Sequence, residues 1–277
     1  MFTDSHCHLN FAELRSQLPQ IRTAMAQAQV TRALCICTTM EEFDDVHSLS
    51  TEYDNFWSTV GVHPDNEGIY EPTVDDLVQR SQRPRVVAIG ETGLDYYQMD
   101  ARKGGRTVAD MEWQRERFRT HIRAAQQTHL PLVIHTRNAS DDTLSILQEM
   151  AQEGATTKAE AGRSTSLTGV FHCFTETMQV AKAALDMGFY ISFSGILTFK
   201  TAAELREVAA YVPLDRCLIE TDSPYLAPMP FRGKTNTPAY VPYVAQQLAN
   251  VKGTDVETIA QVTSQNFDQL FSRVGKG

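Results

Sequence analysis

Short runs rich in apolar and β-branched residues alternate with helical stretches from one end of the chain to the other. The runs at residues 2–8, 32–39, 56–63, 85–91, 132–136, 169–174, 189–194 and 217–221 predict eight strands. Several are apolar at consecutive positions, as in Val86-Val87-Ala88-Ile89 and Leu132-Val133-Ile134, which fits parallel strands covered on both faces. Between them the period changes. Residues 111–127 place Met111, Phe118, Ile122 and Ala125 on one side of a helix with arginines and glutamines opposite. Residues 139–153 carry Leu144, Leu147 and Met150 at helical spacing, with Ser140 as the expected N-cap. Eight strand-then-helix units predict a closed (β/α)8 TIM barrel, one domain over residues 1–277. An open doubly wound sheet is the alternative, but no G-x-G-x-x-G follows the first strand. Residues 97–110 and 154–168 read as loops. The first follows the fourth strand and is expected to border the site. The second lies on the opposite side of the barrel and is expected to be mobile and free of chemistry.

The polar positions change this picture from a scaffold to a site. His6 and His8 stand two apart in the first strand and so point to one face. His63, Glu91, His135, His172 and Asp222 each close a later apolar run, where a barrel brings its catalytic groups together. Taken singly, each of these has an ordinary reading: a hydrogen-bonded packing histidine, half of a salt bridge, a turn residue ahead of Pro224. Taken together, a glutamate, an aspartate and several histidines buried side by side without a cation would cost several kcal/mol in desolvation and repulsion. His6, His8, Glu91 and Asp222 would make one metal centre, and His135, His172 and Glu91 a second, with Glu91 bridging. Six ligands exceed the needs of one tetrahedral ion and suit two. Two ions about 3.5–4 Å apart suit hydrolysis, one lowering the pKa of a water and both sharing the charge on the oxygens. His47, His121 and His129 lie in polar helical stretches and are expected to be solvated.

Charge and cysteine usage narrow the function classes. The net charge of −9 argues against a broad basic surface for nucleic acid, although bound cations would themselves attract phosphate. The five cysteines are odd in number and mostly lie in apolar runs, as reduced, buried thiols do. Cys35 and Cys37 read as core rather than a zinc knuckle. No stretch of eighteen apolar residues and no secretory signal is visible, so a cytoplasmic protein without a membrane span is expected.

The motifs resemble those of the TatD-type metal-dependent deoxyribonucleases, a branch of the amidohydrolase-like barrels, over nearly the full length. They are Asp4-Ser5-His6-Cys7-His8-Leu9, Val60-Gly61-Val62-His63-Pro64, Ile89-Gly90-Glu91-Thr92-Gly93-Leu94-Asp95-Tyr96-Tyr97, Ile134-His135-Thr136-Arg137, Phe171-His172-Cys173-Phe174, Glu220-Thr221-Asp222-Ser223-Pro224-Tyr225-Leu226, and Phe231-Arg232-Gly233-Lys234 followed by Asn236, Pro238 and Tyr240. The resemblance implies a (β/α)8 barrel that hydrolyses DNA phosphodiester bonds, from single-stranded 3′ ends, using two divalent ions (magnesium, manganese or zinc). It places the ligands on His6, His8, Glu91, His135, His172 and Asp222. It places His63 beside the metals, touching substrate or a residue that supports the ligands.

In this reading Asp222 takes the proton of the attacking water and Glu91 holds both ions. Arg232 and Lys234, after the eighth strand, and Arg137, beside His135, are candidates to hold phosphate, since a guanidinium fork matches its geometry. Tyr96, Tyr97 and Tyr225 are candidates to stack on a base. The two predicted loops look longer than the family's usual connections, and the first bears on substrate choice. Acting as a monomer on DNA is the expected mode. The alternatives are a related barrel hydrolase cutting a C–N, ester or lactone bond, and a non-catalytic barrel that binds partners. Glu91 stands where relatives of the first kind often carry a modified lysine, and the second kind usually shows eroded ligands. Between its two histidines, Cys7 should face the layer between strands and helices. Cys7→Ser is therefore expected to keep the hydrolytic activity that His6→Ala and His8→Ala each lose, in parallel assays of the three purified variants.

Overall fold

The computed structural model describes residues 1–159 and 167–274. Eight parallel strands pair in chain order: β1 (Phe2–Cys7), β2 (Val30–Cys35), β3 (Phe56–Val60), β4 (Val86–Asp95), β5 (Leu132–Arg137), β6 (Gly169–Phe171), β7 (Tyr190–Phe193) and β8 (Cys217–Ile219). Helices follow every strand: α1 (Ala12–Arg15) and α2 (Leu18–Gln27) after β1, α3 (Phe43–Glu52) after β2, α4 (Val74–Ser81) after β3, and α5 (Glu112–Thr128) after β4. Then come α6 (Ser140–Ala159), α7 (Met178–Asp186) and α8 (Ala203–Tyr211) after β5, β6 and β7, with α9 (Val241–Lys252) and α10 (Val256–Leu270) after β8. This is the expected (β/α)8 barrel.

The last seam is made at the carboxyl ends of the strands. There the Asp222 N–H donates to the His6 carbonyl (2.9 Å), and the His8 N–H donates to the Ser223 carbonyl (2.9 Å). At the amino ends α10 lies across the seam: Thr3 Oγ1 and Ser264 Oγ are 2.9 Å apart, and Arg32 reaches both the Ser264 carbonyl and Asp268. Side chains alternate across each strand. Val133, Val170 and Leu218 therefore share the inner face with His135, His172 and Glu220 two residues on. With Leu34, Trp57, Val87 and Tyr190 they fill the barrel below the polar ring, and Phe267 and Leu270 of α10 with Phe271 just beyond it close the floor. Cys7 faces the other way, into the apolar layer between strands and helices, with its Sγ toward the Leu34 carbonyl.

Several sequence expectations are corrected. Strands predicted at 32–39, 56–63, 169–174 and 217–221 end earlier, so His63, His172 and Asp222 stand on the turns just beyond their strands. The strand predicted at 85–91 instead runs on to Asp95. Ser140 is the first helical residue rather than a cap, and its hydroxyl donates to Glu176 (2.5 Å). The loop predicted at 154–168 is helical over its first six residues, because α6 continues to Ala159; residues 160–166 lie outside the described residues. The loop at 97–110 folds into short 3-10 turns and reaches across to Glu67 through Arg106 (2.7 Å).

Two histidines expected in solvent are buried. His47 donates from Nε2 to the Pro84 carbonyl (2.9 Å). His121 is more informative. Its Nδ1 lies 2.8 Å from the Arg117 carbonyl and carries the proton, so its Nε2 accepts the Val62 N–H (3.0 Å). Arg117, four residues earlier on the same face, donates to the His63 carbonyl (2.9 Å) while paired with Glu71. Gln114, three residues before that, bonds both the N–H and the carbonyl of Asp95 (2.8 and 3.1 Å). The face of α5 expected to be solvated thus turns inward and grips the ends of β3 and β4. The pattern of apolar residues hid this, because the gripping residues are polar.

Burial pushes the His121 imidazole down to about 4. An unfolded chain takes up that proton at about pH 6.5, whereas the folded chain does so only near its lowered value, so stability falls as pH drops through this window. The expected loss from this one residue is about 2 kcal/mol between pH 7 and pH 5. Denaturant unfolding at the two pH values should show a loss smaller by about that amount in His121→Gln than in the unsubstituted chain.

Candidate metal centre

Glu91 is the hub. It lies on β4, only 2 % exposed, with its N–H held by the Cys37 carbonyl (2.9 Å). Its Oε2 faces His6 Nε2 (3.3 Å) and His8 Nε2 (3.9 Å). Its Oε1 faces His172 Nε2 (2.7 Å), His135 Nδ1 (3.2 Å) and His63 Nε2 (3.3 Å). Asp222 Oδ1 completes the first group, 3.3 Å from His8 Nε2 and 3.6 Å from His6 Nε2. The two nitrogens of the first pair are 3.3 Å apart; in the second group His63 and His135 are 3.3 Å apart and His135 and His172 are 3.4 Å apart. The structure therefore brings together all six residues expected as ligands and adds His63 at the same range as the others.

These spacings bear on whether the residues suit a metal ion. Ligands about 2.1 Å from a tetrahedral ion stand about 3.4 Å from one another. The donor atoms of both groups cluster around that value, and the donor set of imidazoles and carboxylates suits divalent cations. Without a cation, several ring nitrogens would face each other and carboxylates with few protons to share. Burial pushes the Glu91 carboxyl up, but His172, His63 and His6 hold it well below the usual carboxylate range. The residues fit a divalent ion.

A second layer of carboxylates sets which ring nitrogen His63, His135 and His172 present. Asp65 Oδ1 lies 2.5 Å from His63 Nδ1, Asp95 Oδ2 lies 3.1 Å from His135 Nε2, and Glu220 Oε1 lies 3.3 Å from His172 Nδ1. Each acid takes the ring N–H and leaves the other nitrogen facing Glu91. His135 is consequently turned over: it presents Nδ1 where the others present Nε2. Glu220 also accepts the Cys173 N–H (2.7 Å), and so fixes the turn after β6, where Cys173 has a positive φ of 42°. Glycine at position 93 is required by the same packing, since a Cβ there would overlap the His135 carbonyl oxygen. By contrast, the Nδ1 atoms of His6 and His8 have no hydrogen-bond partner among the described residues. Beneath them Asp4 accepts from Thr221 N (2.9 Å) and Thr221 Oγ1 (2.6 Å), and burial pushes its carboxyl up to about 8.

Asp4, Asp65, Asp95 and Glu220 were not singled out from the sequence. For Asp4 the signal is present, since it stands two residues before His6 on the same face of β1; Glu220 and Asp222 both lie beyond β8, where alternation no longer fixes the face. Asp95 also pairs with Arg137, which donates from Nε (3.0 Å) and Nη2 (2.7 Å). Burial raises the Asp95 carboxyl, but His135 and Arg137 bring it down to about 2.

Arg137 lines the cavity of about 660 Å³ above the ring, its guanidinium stacked on Tyr97 (4.3 Å). Arg232 and Lys234 do not line it. Both are exposed on the loop after β8, lying over Phe199 (4.5 Å) and Phe231 (5.7 Å). Nor does the 97–110 segment contribute to the lining.

With this geometry in place, comparison with known proteins decides the family. The family model described as TatD related DNase matches residues 3–272. The chain belongs to the TatD family. It is 43 % identical over 272 residues to the uncharacterized metal-dependent hydrolase YcfH of Escherichia coli K12, covering 97 % of this chain and 94 % of that one. It is 30 % identical to the 3′-5′ ssDNA/RNA exonuclease TatD of Escherichia fergusonii, covering 97 % and 98 %. The crystal structure of the TatD homologue YJJV from Escherichia coli superposes with a TM-score of 0.82 at 25 % identity, covering 98 % of both chains. This TatD-family chain is a metal-dependent hydrolase. Among the described residues, no helix is long and apolar enough to cross a membrane.

The carboxylate layer gives a direct test. Asp95→Asn leaves the ring in place but replaces the carboxylate behind His135 with a neutral amide whose single oxygen is a weaker acceptor, and should weaken metal binding by about 10- to 100-fold, measured by calorimetric titration of the metal-stripped protein. Glu220→Gln should act similarly through His172.

Proposed function

We propose that this chain is a two-metal phosphodiesterase acting on the ends of single-stranded DNA, releasing nucleotides from the 3′ end. The observation that carries the proposal is the division of labour at Glu91: its two oxygens face separate groups of ligand atoms, one completed by Asp222 and the other by His63. A single ion would leave one group idle. Two divalent ions, held by His6, His8, Glu91 and Asp222 and by Glu91, His63, His135 and His172, would lower the pKa of a water and spread the charge of the phosphoryl oxygens.

The chain's own residues supply the rest. Asp222 directs Oδ1 at His6 and His8, which leaves Oδ2 to accept a proton from the attacking water. Its backbone is fixed by the N–H bond to His6 and by a left-handed conformation (φ 55°). Arg137 uses two donors on Asp95 and keeps Nη1 for a phosphate oxygen at the rim. The name of the Escherichia fergusonii relative, a 3′-5′ ssDNA/RNA exonuclease, supports the substrate class and the polarity. The net charge of −9 fits recognition concentrated at the site rather than spread along a strand. A monomer suffices, because every residue invoked comes from one chain.

Purified protein loaded with magnesium, manganese or zinc should release mononucleotides from single-stranded DNA. Chelation and Glu91→Ala should each abolish release, and metal analysis should find two ions per chain. Cleavage of a lactone or cyclic amide by the loaded protein, with DNA left intact, would overturn the phosphodiesterase reading. Saturation at one ion would overturn the binuclear one.

A further inference from the structure

The cavity above the ring has two unlike sides. Going round the barrel, the loops after β7, β8 and β1, neighbours at the closing seam, contribute Ile196, Tyr225, Leu226 and Phe11. The loops after β2 and β3 contribute Thr38 and Asn66, and the end of β5 contributes Arg137. One arc is apolar and aromatic, the other polar. Tyr225 stands out in the aromatic arc because it is 55 % exposed although its backbone is tightly held. Its N–H donates to the Asp222 carbonyl (3.0 Å), and its own carbonyl accepts from Asn236 Nδ2 (2.7 Å). Phe11 stacks on the His8 ring (centroids 4.8 Å apart, 19° between planes) and meets Tyr225 edge to face at 6.3 Å. An exposed aromatic ring on a fixed backbone, bonded directly to a ring residue, is a preformed surface and not a packing element.

The other two tyrosines that are candidates to stack on a base are spent elsewhere. Tyr96 is buried with its hydroxyl on Asp142 (2.5 Å), and Tyr97 carries Arg137 on its face.

We propose that Tyr225 and Phe11 form the platform on which a nucleobase stacks, placing the adjoining phosphate over the ring while Arg137 holds the polar side. The inference rests on the phosphodiesterase reading and adds where the base goes. Stacking on an aromatic face tolerates every base, so the platform predicts a nuclease that depends on the presence of a base and little on its identity.

The test compares single-stranded oligodeoxynucleotides bearing a normal or an abasic residue at the last or the next-to-last position. In the unsubstituted protein one of the two abasic substitutions should lower kcat/KM by about tenfold or more. Tyr225→Ala should erase that ratio, whereas Tyr225→Phe and Tyr225→Trp should keep it. Tyr211→Ala, equally exposed at the end of α8 but outside the cavity, should keep it too. Binding gives a second readout: 2-aminopurine at the sensitive position should be quenched by the unsubstituted protein and by Tyr225→Trp, and not by Tyr225→Ala. A ratio that is absent in the unsubstituted protein, or unchanged in Tyr225→Ala, overturns the platform while leaving the phosphodiesterase standing. Failure to release nucleotides from any of the substrates overturns both.

Discussion

A carboxylate almost wholly withdrawn from water has to be answered by positive charge, and Glu91 sets that demand for the entire carboxyl end of the barrel. Leaving such a charge unpaired would cost about 3–5 kcal/mol. Its partners come from four other strands or the turns after them: His6 from β1, His63 beyond β3, His135 from β5 and His172 beyond β6. None of these is near another in the chain. They meet only if every intervening strand is in register, so the charge balance of one glutamate is satisfied by the barrel as a whole.

The histidines that answer Glu91 are themselves governed from behind. Asp65, Asp95 and Glu220 decide which ring nitrogen is protonated in His63, His135 and His172, and α5 braces the strand ends through Gln114, Arg117 and His121. Among the described residues the group formed by His6, His8 and Asp222 has no such backing for its imidazoles, but it carries a second carboxylate. One half of the centre is tuned through its supporting hydrogen bonds and the other through its own charge.

What could be read in advance follows from the same physics. Strand periodicity displays which residues share a face, so His6 with His8, and the ligands closing later apolar runs, are visible in the sequence. The number of strand-then-helix units displays the barrel. The bracing face of α5 is not visible, because Gln114, Arg117 and His121 are polar, and polarity at helical spacing reads as solvent; their burial depends on acceptors and donors on β3 and β4 that tertiary contact supplies. Asp95 is hidden for a different reason. It stands four residues past Glu91, on a strand whose length the apolar run understates. Exposure at the rim is likewise a property of loops: Arg232 and Lys234 lie near the site in sequence order and outside the cavity in space.

The seam between β1 and β8 ties these points to the history of the chain. The bonds that close the barrel, Asp222 N–H to His6 and His8 N–H to Ser223, join two of the groups that would hold a cation. Beside them Asp4 and Thr221 are bonded across 217 positions. During synthesis the histidines of the first strand leave the ribosome early and wait for nearly the whole chain before their partners exist. A chain cut short before the last strand lacks both Asp222 and the final closure. The closing seam and the full set of candidate ligands therefore come into being together, late in synthesis.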